Sequence, residues 1–381
     1  MCVRNDALYK SVGLIFLSLI FTSCVSNRNQ GVVQVEDQLK TPVAKNIILL
    51  IGDGMGLTQL SAGIYNNKNY SHFERMGTIG IHKPYSSNKL ITDSAAGATA
   101  FACGIKTYNG AIAVDPDTLP VMTILEEAEF KGKSTGLIAT SSIVHATPAS
   151  FIAHNKYRKN YEEIAVDFMD TEIDFFVGGG KKYFGQREND ERNLIEELDN
   201  KGYQVSDFFQ TEIEDVEVDS SMNFAYFTAN EEPLPNLQGR NYLMDAVDKA
   251  LGHLNVHGDQ GFFLMIEGSQ IDWGGHANNI DYVLTEWKEF DSTVGMVLDW
   301  AEEDGETLVI ITADHETGGL AIQSDSKMDS ISAAFTSDYH SGTMIPVFAH
   351  GPCSQSFSGI YENIDIYSKM RSAFGWEIVK E

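Results

Sequence analysis

Residues 46–56 read Asn46-Ile47-Ile48-Leu49-Leu50-Ile51-Gly52-Asp53-Gly54-Met55-Gly56. The aliphatic run is too short for a helix and suits a strand buried on both faces. It stops at a glycine, and an acid follows at once between glycines. Two later stretches repeat the pattern. Gly261–Ile266 (GFFLMI) leads into Glu267-Gly268-Ser269-Gln270-Ile271-Asp272-Trp273-Gly274-Gly275-His276. Leu308–Thr312 (LVIIT) leads into Ala313-Asp314-His315-Glu316-Thr317-Gly318-Gly319. Ser134–Ala139, Asp174–Val177 and Ile345–Ala349 are further apolar runs of strand length. Helical patterns fall between the runs, most clearly at Val121–Phe130, Tyr161–Met169, Asn241–Leu254 and Asn279–Ala301. The alternation predicts an α/β chain, three-layer α/β/α, around a central mostly parallel sheet. Residues 200–238 are the least regular, and acidic Glu212–Asp219 reads as a solvated loop or an edge hairpin.

The chain has 381 residues, a size that fits one large domain of this kind, and carries 27 Lys+Arg against 54 Asp+Glu. A net charge of −27 argues against a nucleic-acid partner, since there is no basic excess to release counterions from a phosphate backbone. It argues equally against binding anionic lipid by charge alone. An anionic substrate would need positive charge held inside the protein.

Val12–Phe21 is an apolar run of about ten residues after Arg4 and Lys10, too short to span a bilayer and suited to a signal-peptide core. Phe21-Thr22-Ser23-Cys24 follows and resembles a bacterial lipobox, although Phe21 replaces the usual Leu. The expected organisation is a lipoprotein-type signal over residues 1–23, a tether over 24–44 and a catalytic domain over 45–381. The expected location is exported, periplasmic or in the cell envelope, held to a membrane by a lipid on Cys24. Cys103 and Cys353 are expected to be buried free thiols.

The polar residues gather where the strands end, the edge at which open parallel sheets bind ligands. Asp53 alone could be a turn residue, and Asp272 with His276 could be a surface pair. Three strand ends that all supply Asp, Glu or His, with His340 just before the last run, point instead to a metal cluster. Imidazole with carboxylate suits zinc, and carboxylate with hydroxyl suits magnesium. Thr92-Asp93-Ser94-Ala95-Ala96-Gly97-Ala98-Thr99-Ala100 reads two ways. Asp93 or Ser94 caps a tightly packed helix, or Ser94 is a nucleophile placed where helix N–H groups stabilise an anion. His145-Ala146-Thr147-Pro148 opens another segment, which ends at Arg158. A lone Arg is normally a solvated charge, but its planar fork also suits phosphate.

Taken in order, GDGMG, TDSAAGATA, HATPASFIAH-x₃-R, DFFVGGG, EGSQID-x₃-H, TADHETGG and a late His-Ser-Gly resemble the alkaline phosphatase family. The resemblance implies an alkaline-phosphatase-like fold and hydrolysis of small phosphate monoesters through a phosphoserine on Ser94. It implies two zinc ions, one held by Asp272, His276 and His340 and the other by Asp53, Asp314 and His315. Asp53 would bridge to a magnesium ion completed by Thr147 and Glu267, His145 is also expected among the metal residues, and Arg158 would clamp the phosphate.

His145 and Trp273 stand where enterobacterial members have Asp and Lys, so magnesium or a third zinc is open at that site. Only 23 residues, Thr317–Tyr339, separate Glu316 from His340. Many members insert a larger crown there that contributes to the dimer interface. A reduced crown, little more than a loop, is expected here, and a homodimer is less secure. A sulfatase would need Pro and Arg after its nucleophile, which Ser94 lacks. A phosphodiesterase more often uses Thr, and a silent metal or phosphate binder would not need both Ser94 and Arg158.

Overall fold

The computed structural model describes residues 43–376. The apolar run Val12–Phe21 and Cys24 lie outside the described residues. Ala44 is already buried, with its N–H donating to Ala373, so the packed body starts one residue before the expected boundary. No helix among the described residues is long and apolar enough to cross a membrane.

In chain order the strands are β1 Asn46–Gly52, β2 Thr78–Lys83, β3 Ser134–Ser142, β4 Phe175–Gly179, β5 Tyr203–Asp207, β6 Asn223–Phe227 and β7 Phe262–Gly268. They continue as β8 Thr307–Thr312, β9 Glu316–Thr317, β10 Leu320–Ile322, β11 Ala333–Phe335, β12 His340–Ser341, β13 Ile345–His350 and β14 Gly359–Glu362. Ten of them form one sheet in the order β14-β2-β13-β8-β1-β7-β3-β4-β6-β5. Only β13 runs antiparallel to its neighbours, as expected of a mostly parallel sheet.

Alternate residues of β1 serve opposite faces. Ile47, Leu49 and Ile51 join one apolar cluster with the helices Ser94–Cys103, Ile124–Phe130 and Asp365–Ala373. Ile48 and Leu50 join a second with the helices Leu243–His257 and Ile280–Asp304. Burial of both faces explains why the central strands are continuously apolar.

The helix expected from Val121 begins at Ile124, because Thr123 forms a capping box with Glu126 and so stays outside the first turn. The helix expected over Asn279–Ala301 is capped by Asn279 and runs on to Asp304, where Gly305 takes a left-handed φ of 72°. Glu212–Asp219 is a mostly exposed connection pinned by buried Ile213 and Val216. It is no hairpin, since β5 and β6 on either side of it pair in parallel. Residues 317–339 hold more than a loop. β10 and β11 form a short antiparallel hairpin whose Leu320 packs on Ala62 and Leu284. Cys103 is buried with its thiol donating to Val121, whereas Cys353 is half-buried.

Thr123 also donates to the carbonyl of Phe151 at 2.6 Å. Thr123→Ala is expected to lower unfolding stability by about 1–2 kcal/mol in urea titration, and Thr123→Ser to restore most of it.

Candidate metal centre and active site

The sheet order places β1 between β7 and β8, with Ile51 level with Glu267 on one side and Thr312 on the other. Asp53, the Glu267–Asp272 segment and Asp314 therefore emerge side by side. Gly54 lets them close up. Its φ is +72°, and a Cβ there would lie 2.8 Å from Cα of Asp272. Asp314 and His315 fall in a bend between β8 and β9, which frees both adjacent side chains to face the centre. β12 pairs with β9, His340 opposite Thr317, and so brings His340 beside His315.

Asp272 and His276 share a face of the helix Gln270–His276, with His276 Nε2 3.3 Å from Asp272 Oδ2. His340 Nε2 lies 3.6 Å from Asp272 Oδ1 and 3.1 Å from His276 Nε2. Each ring points its Nδ1 at a backbone carbonyl, His276 at Asp338 (2.6 Å) and His340 at Thr92 (2.8 Å). A carbonyl only accepts, so each Nδ1 carries a proton and each Nε2 is the atom left for a cation. The Asp272 hydrogen bond raises His276 to about 9, while burial lowers His340 to about 4. A divalent ion bound at these nitrogens would compete with protonation.

The second group centres on His315 Nε2. It lies 3.5 Å from Asp53 Oδ1, 3.2 Å from Asp314 Oδ2 and 3.3 Å from Ser94 Oγ. Thr317 spends its single hydroxyl proton on Asp272 and accepts from His315 Nδ1 at 3.2 Å, which again leaves Nε2 bare. Burial followed by repulsion from Asp314 raises Asp53 well above the usual carboxylate range. Burial likewise lifts Asp314 to about 6 and Glu267 to about 7.

Both Asp53 oxygens, Asp314 Oδ2, Glu267 Oε1 and Thr147 Oγ1 are buried without a hydrogen-bond partner. Orphaned acceptors packed together are costly unless a cation joins them. The donor set fits metal. Asp272 lies within reach of both groups, so Asp272–His276–His340 and Asp53–Asp272–His315 each converge as ligand triads, with Asp314 completing the second.

Ser94 is the first residue of the helix Ser94–Cys103 and is almost fully buried. The two readings of this segment are compatible, because Asp93 is the cap, accepting from Ala96 at 3.1 Å, and leaves Ser94 free. The other Asp93 oxygen holds Arg158 Nη1 at 3.1 Å. Arg158 Nη2 lies 3.4 Å from His145 Nε2, and burial with the Arg158 charge lowers His145 to about 3, so it is neutral. Asp93, Ser94, His145, Arg158, Trp273 and His340 line one cavity of about 510 Å³. His145 sits against Arg158 and edge-on to Trp273, and joins neither triad.

The chain matches the alkaline phosphatase family model over residues 44–333. It belongs to the alkaline phosphatase family. Alkaline phosphatase 3 of Bacillus subtilis (strain 168) is 42% identical over 299 residues, covering 74% of this chain and 63% of the relative. This chain thus spans less than two thirds of that curated relative's length. Alkaline phosphatase from the Antarctic bacterium TAB5 superposes with a TM-score of 0.83 at 41% identity, over 89% of this chain and 100% of that one. A His-to-Glu variant of the TAB5 enzyme, described with magnesium bound in its M3 site, gives 0.82 at the same identity and coverage.

Several residues of the site carry no signal of their own in the sequence. Glu316 looks like one more acid, yet it is 3% exposed and accepts from Gln59 Nε2 (2.6 Å), Leu320 N (3.1 Å), Gly319 N (3.2 Å) and Ser341 Oγ. It follows His315 directly, and Ser341 follows His340, so their contact ties the two histidine-bearing segments together. Glu316→Ala is expected to cost at least about 2 kcal/mol by denaturant titration, because several buried donors lose their acceptor.

Proposed function

We propose that the chain is a metal-dependent phosphate monoester hydrolase acting through a phosphoserine on Ser94. The observation that carries this reading is the position of Ser94 Oγ, at a helix N-terminus, 3.3 Å from His315 Nε2 and in one cavity with Arg158. In the same reading zinc is held by Asp272, His276 and His340, and a second zinc by Asp53, Asp314 and His315. Magnesium is assigned to the oxygen-rich corner of Asp53, Thr147 and Glu267, with His145 beside it. The partnerless oxygens of Asp53, Thr147 and Glu267 support giving that corner to a hard cation. Bound there, the ions supply Lewis-acid charge that activates the hydroxyl and water and neutralises phosphoryl oxygens.

The chain's own residues do the rest. Arg158, braced by Asp93, presents its fork to the phosphate oxygens. Ser94 Oγ lies 3.3 Å from the His315 nitrogen that would hold the cation, and the open helix N–H groups favour negative charge on Oγ. In-line displacement sets the leaving oxygen opposite Ser94, toward Asp272, His276 and His340. Transfer forms the Ser94 O–P bond as the ester P–O bond breaks, the Ser94 hydroxyl giving up its proton to water and the leaving oxygen taking one from water. Water then attacks phosphorus from the vacated side and releases inorganic phosphate and free Ser94.

Residues 1–23 are proposed as a lipoprotein-type signal that exports the chain, and 24–44 as the tether from lipidated Cys24. Loss of palmitate labelling in Cys24→Ala is the expected result.

Turnover of p-nitrophenyl phosphate by the full chain is expected to stop with chelator and to return with zinc and magnesium. Elemental analysis of the active protein should find both metals. Ser94→Ala should lower kcat by about 10³-fold or more, and Arg158→Ala should lower kcat/KM by about ten- to a hundredfold. Full activity in Ser94→Ala would sink the phosphoserine route. Faster turnover of bis(p-nitrophenyl) phosphate would favour a diesterase, and no turnover by folded, zinc-loaded protein would favour a silent binder.

A further inference from the structure

One wall of the 510 Å³ cavity takes no part in holding the phosphoryl group. Tyr339 stacks on His340 with ring centroids 4.5 Å apart and planes 5° apart, and His340 stacks on His315 at 3.5 Å and 17°. The three rings form a column from fully buried His315 to the cavity wall, where Tyr339 is 47% exposed. The backbone beneath Tyr339 is fixed. Its N–H donates to Ser337 Oγ at 2.9 Å, and its carbonyl accepts from Gly318 at 2.9 Å. The ring is therefore preorganised, and the surface that His340 leaves uncovered faces solvent. Single exposed aromatics are common and need no role. This one differs in its place, since it shares the cavity with Ser94 and Arg158 and sits directly on a residue of the leaving-group side.

In-line geometry sends whatever is attached to the leaving oxygen outward past His276 and His340, and Tyr339 stands at the outer end of that path. The cavity is large enough for more than a phosphate. We propose that Tyr339 determines specificity for the leaving group, selecting phosphate monoesters whose leaving group is planar and aromatic. This rests on the monoesterase reading and names the substrate class for the same site. A ring on the leaving oxygen packs against the exposed part of Tyr339, and does so equally before and during bond breaking. The contact therefore lowers KM and leaves kcat alone.

The test uses the full chain loaded with zinc and magnesium, as wild type, Tyr339→Ala and Tyr339→Phe. Turnover of phenyl phosphate is compared with glycerol 2-phosphate, and the affinity for phenylphosphonate with that for methylphosphonate. Tyr339→Ala should raise KM for phenyl phosphate and Kd for phenylphosphonate by about two- to tenfold. Both kcat values and the methylphosphonate Kd should hold, and Tyr339→Phe should behave as wild type. Equal losses for aryl and alkyl ligands would overturn the assignment, because Tyr339 would then act only through the orientation of His340. An aryl preference that is absent from wild type, or survives in Tyr339→Ala, would overturn it too. Phenyl-selective binding without turnover would sink the hydrolase, and with it the leaving-group role, while keeping the aromatic contact at Tyr339, and turnover without an aryl preference would sink the Tyr339 assignment alone.

Discussion

Asp53, Glu267, Asp272 and Asp314 are carboxyls buried together at the carboxyl edge of the sheet, with several of their oxygens unsatisfied. Such a group repels itself, and burial makes the repulsion expensive. Burial, with that repulsion added, pushes Asp53, Glu267 and Asp314 toward the protonated form, while Asp272, buried but facing three histidines, is held down. A fold can carry that cost only where cations or protons compensate and where the surrounding packing is too rigid to let the acids turn away. Both conditions are met. The histidine Nδ1 atoms are committed to fixed acceptors, so their Nε2 atoms meet the carboxylates, and glycines at positions 54 and 275 leave no room for the walls to retreat.

The topology supplies the meeting place. Strands β1, β7 and β8 are far apart in sequence and adjacent in space, and in parallel pairing all three end at the same edge. A residue just past the end of each strand then needs no long excursion to reach the others. The antiparallel pairing of β12 with β9 adds His340 from a fourth segment, and Glu316 with Ser341 fastens that addition beside the ligand it follows. Asp93 economises in a similar way, with one oxygen on the helix that carries Ser94 and one on Arg158. A single carboxylate thereby sets the spacing between Ser94 and Arg158.

Much of this was legible in the sequence, because buried parallel strands leave unbroken apolar runs and ligands cluster after them. β2 was not. Its sequence, Thr-Ile-Gly-Ile-His-Lys, alternates buried and more exposed positions and has a glycine inside. β14 lies at the sheet's edge, half exposed, and has no apolar run to show. β5 and β6 are short and flank an acidic connection whose charge masks them. Nor does any local pattern state a strand's direction, and the antiparallel course of β13 follows only from where the chain enters the sheet. In the site, the acids, histidines, Ser94 and Arg158 that converge stood out by chemistry at fixed spacing. Glu316 and Thr317 act through their neighbours and Tyr339 through its place on the cavity wall, and all three are set by tertiary contacts.

The overall charge of −27 and an anionic substrate are compatible once distance is considered. Surface acids are screened beyond about 8 Å at physiological ionic strength, so most of them are weakly felt inside the cavity. There the field comes from groups within contact range, namely Arg158, the N-terminus of the Ser94–Cys103 helix and whatever cations the buried acids hold. The acids that make the chain look hostile to phosphate are partly the ones that recruit this positive charge. A cation on these ligands would offset the buried negative charge locally, beside Arg158. Net charge thus says little about the cavity, where the buried carboxylates and the groups in contact with them set the field.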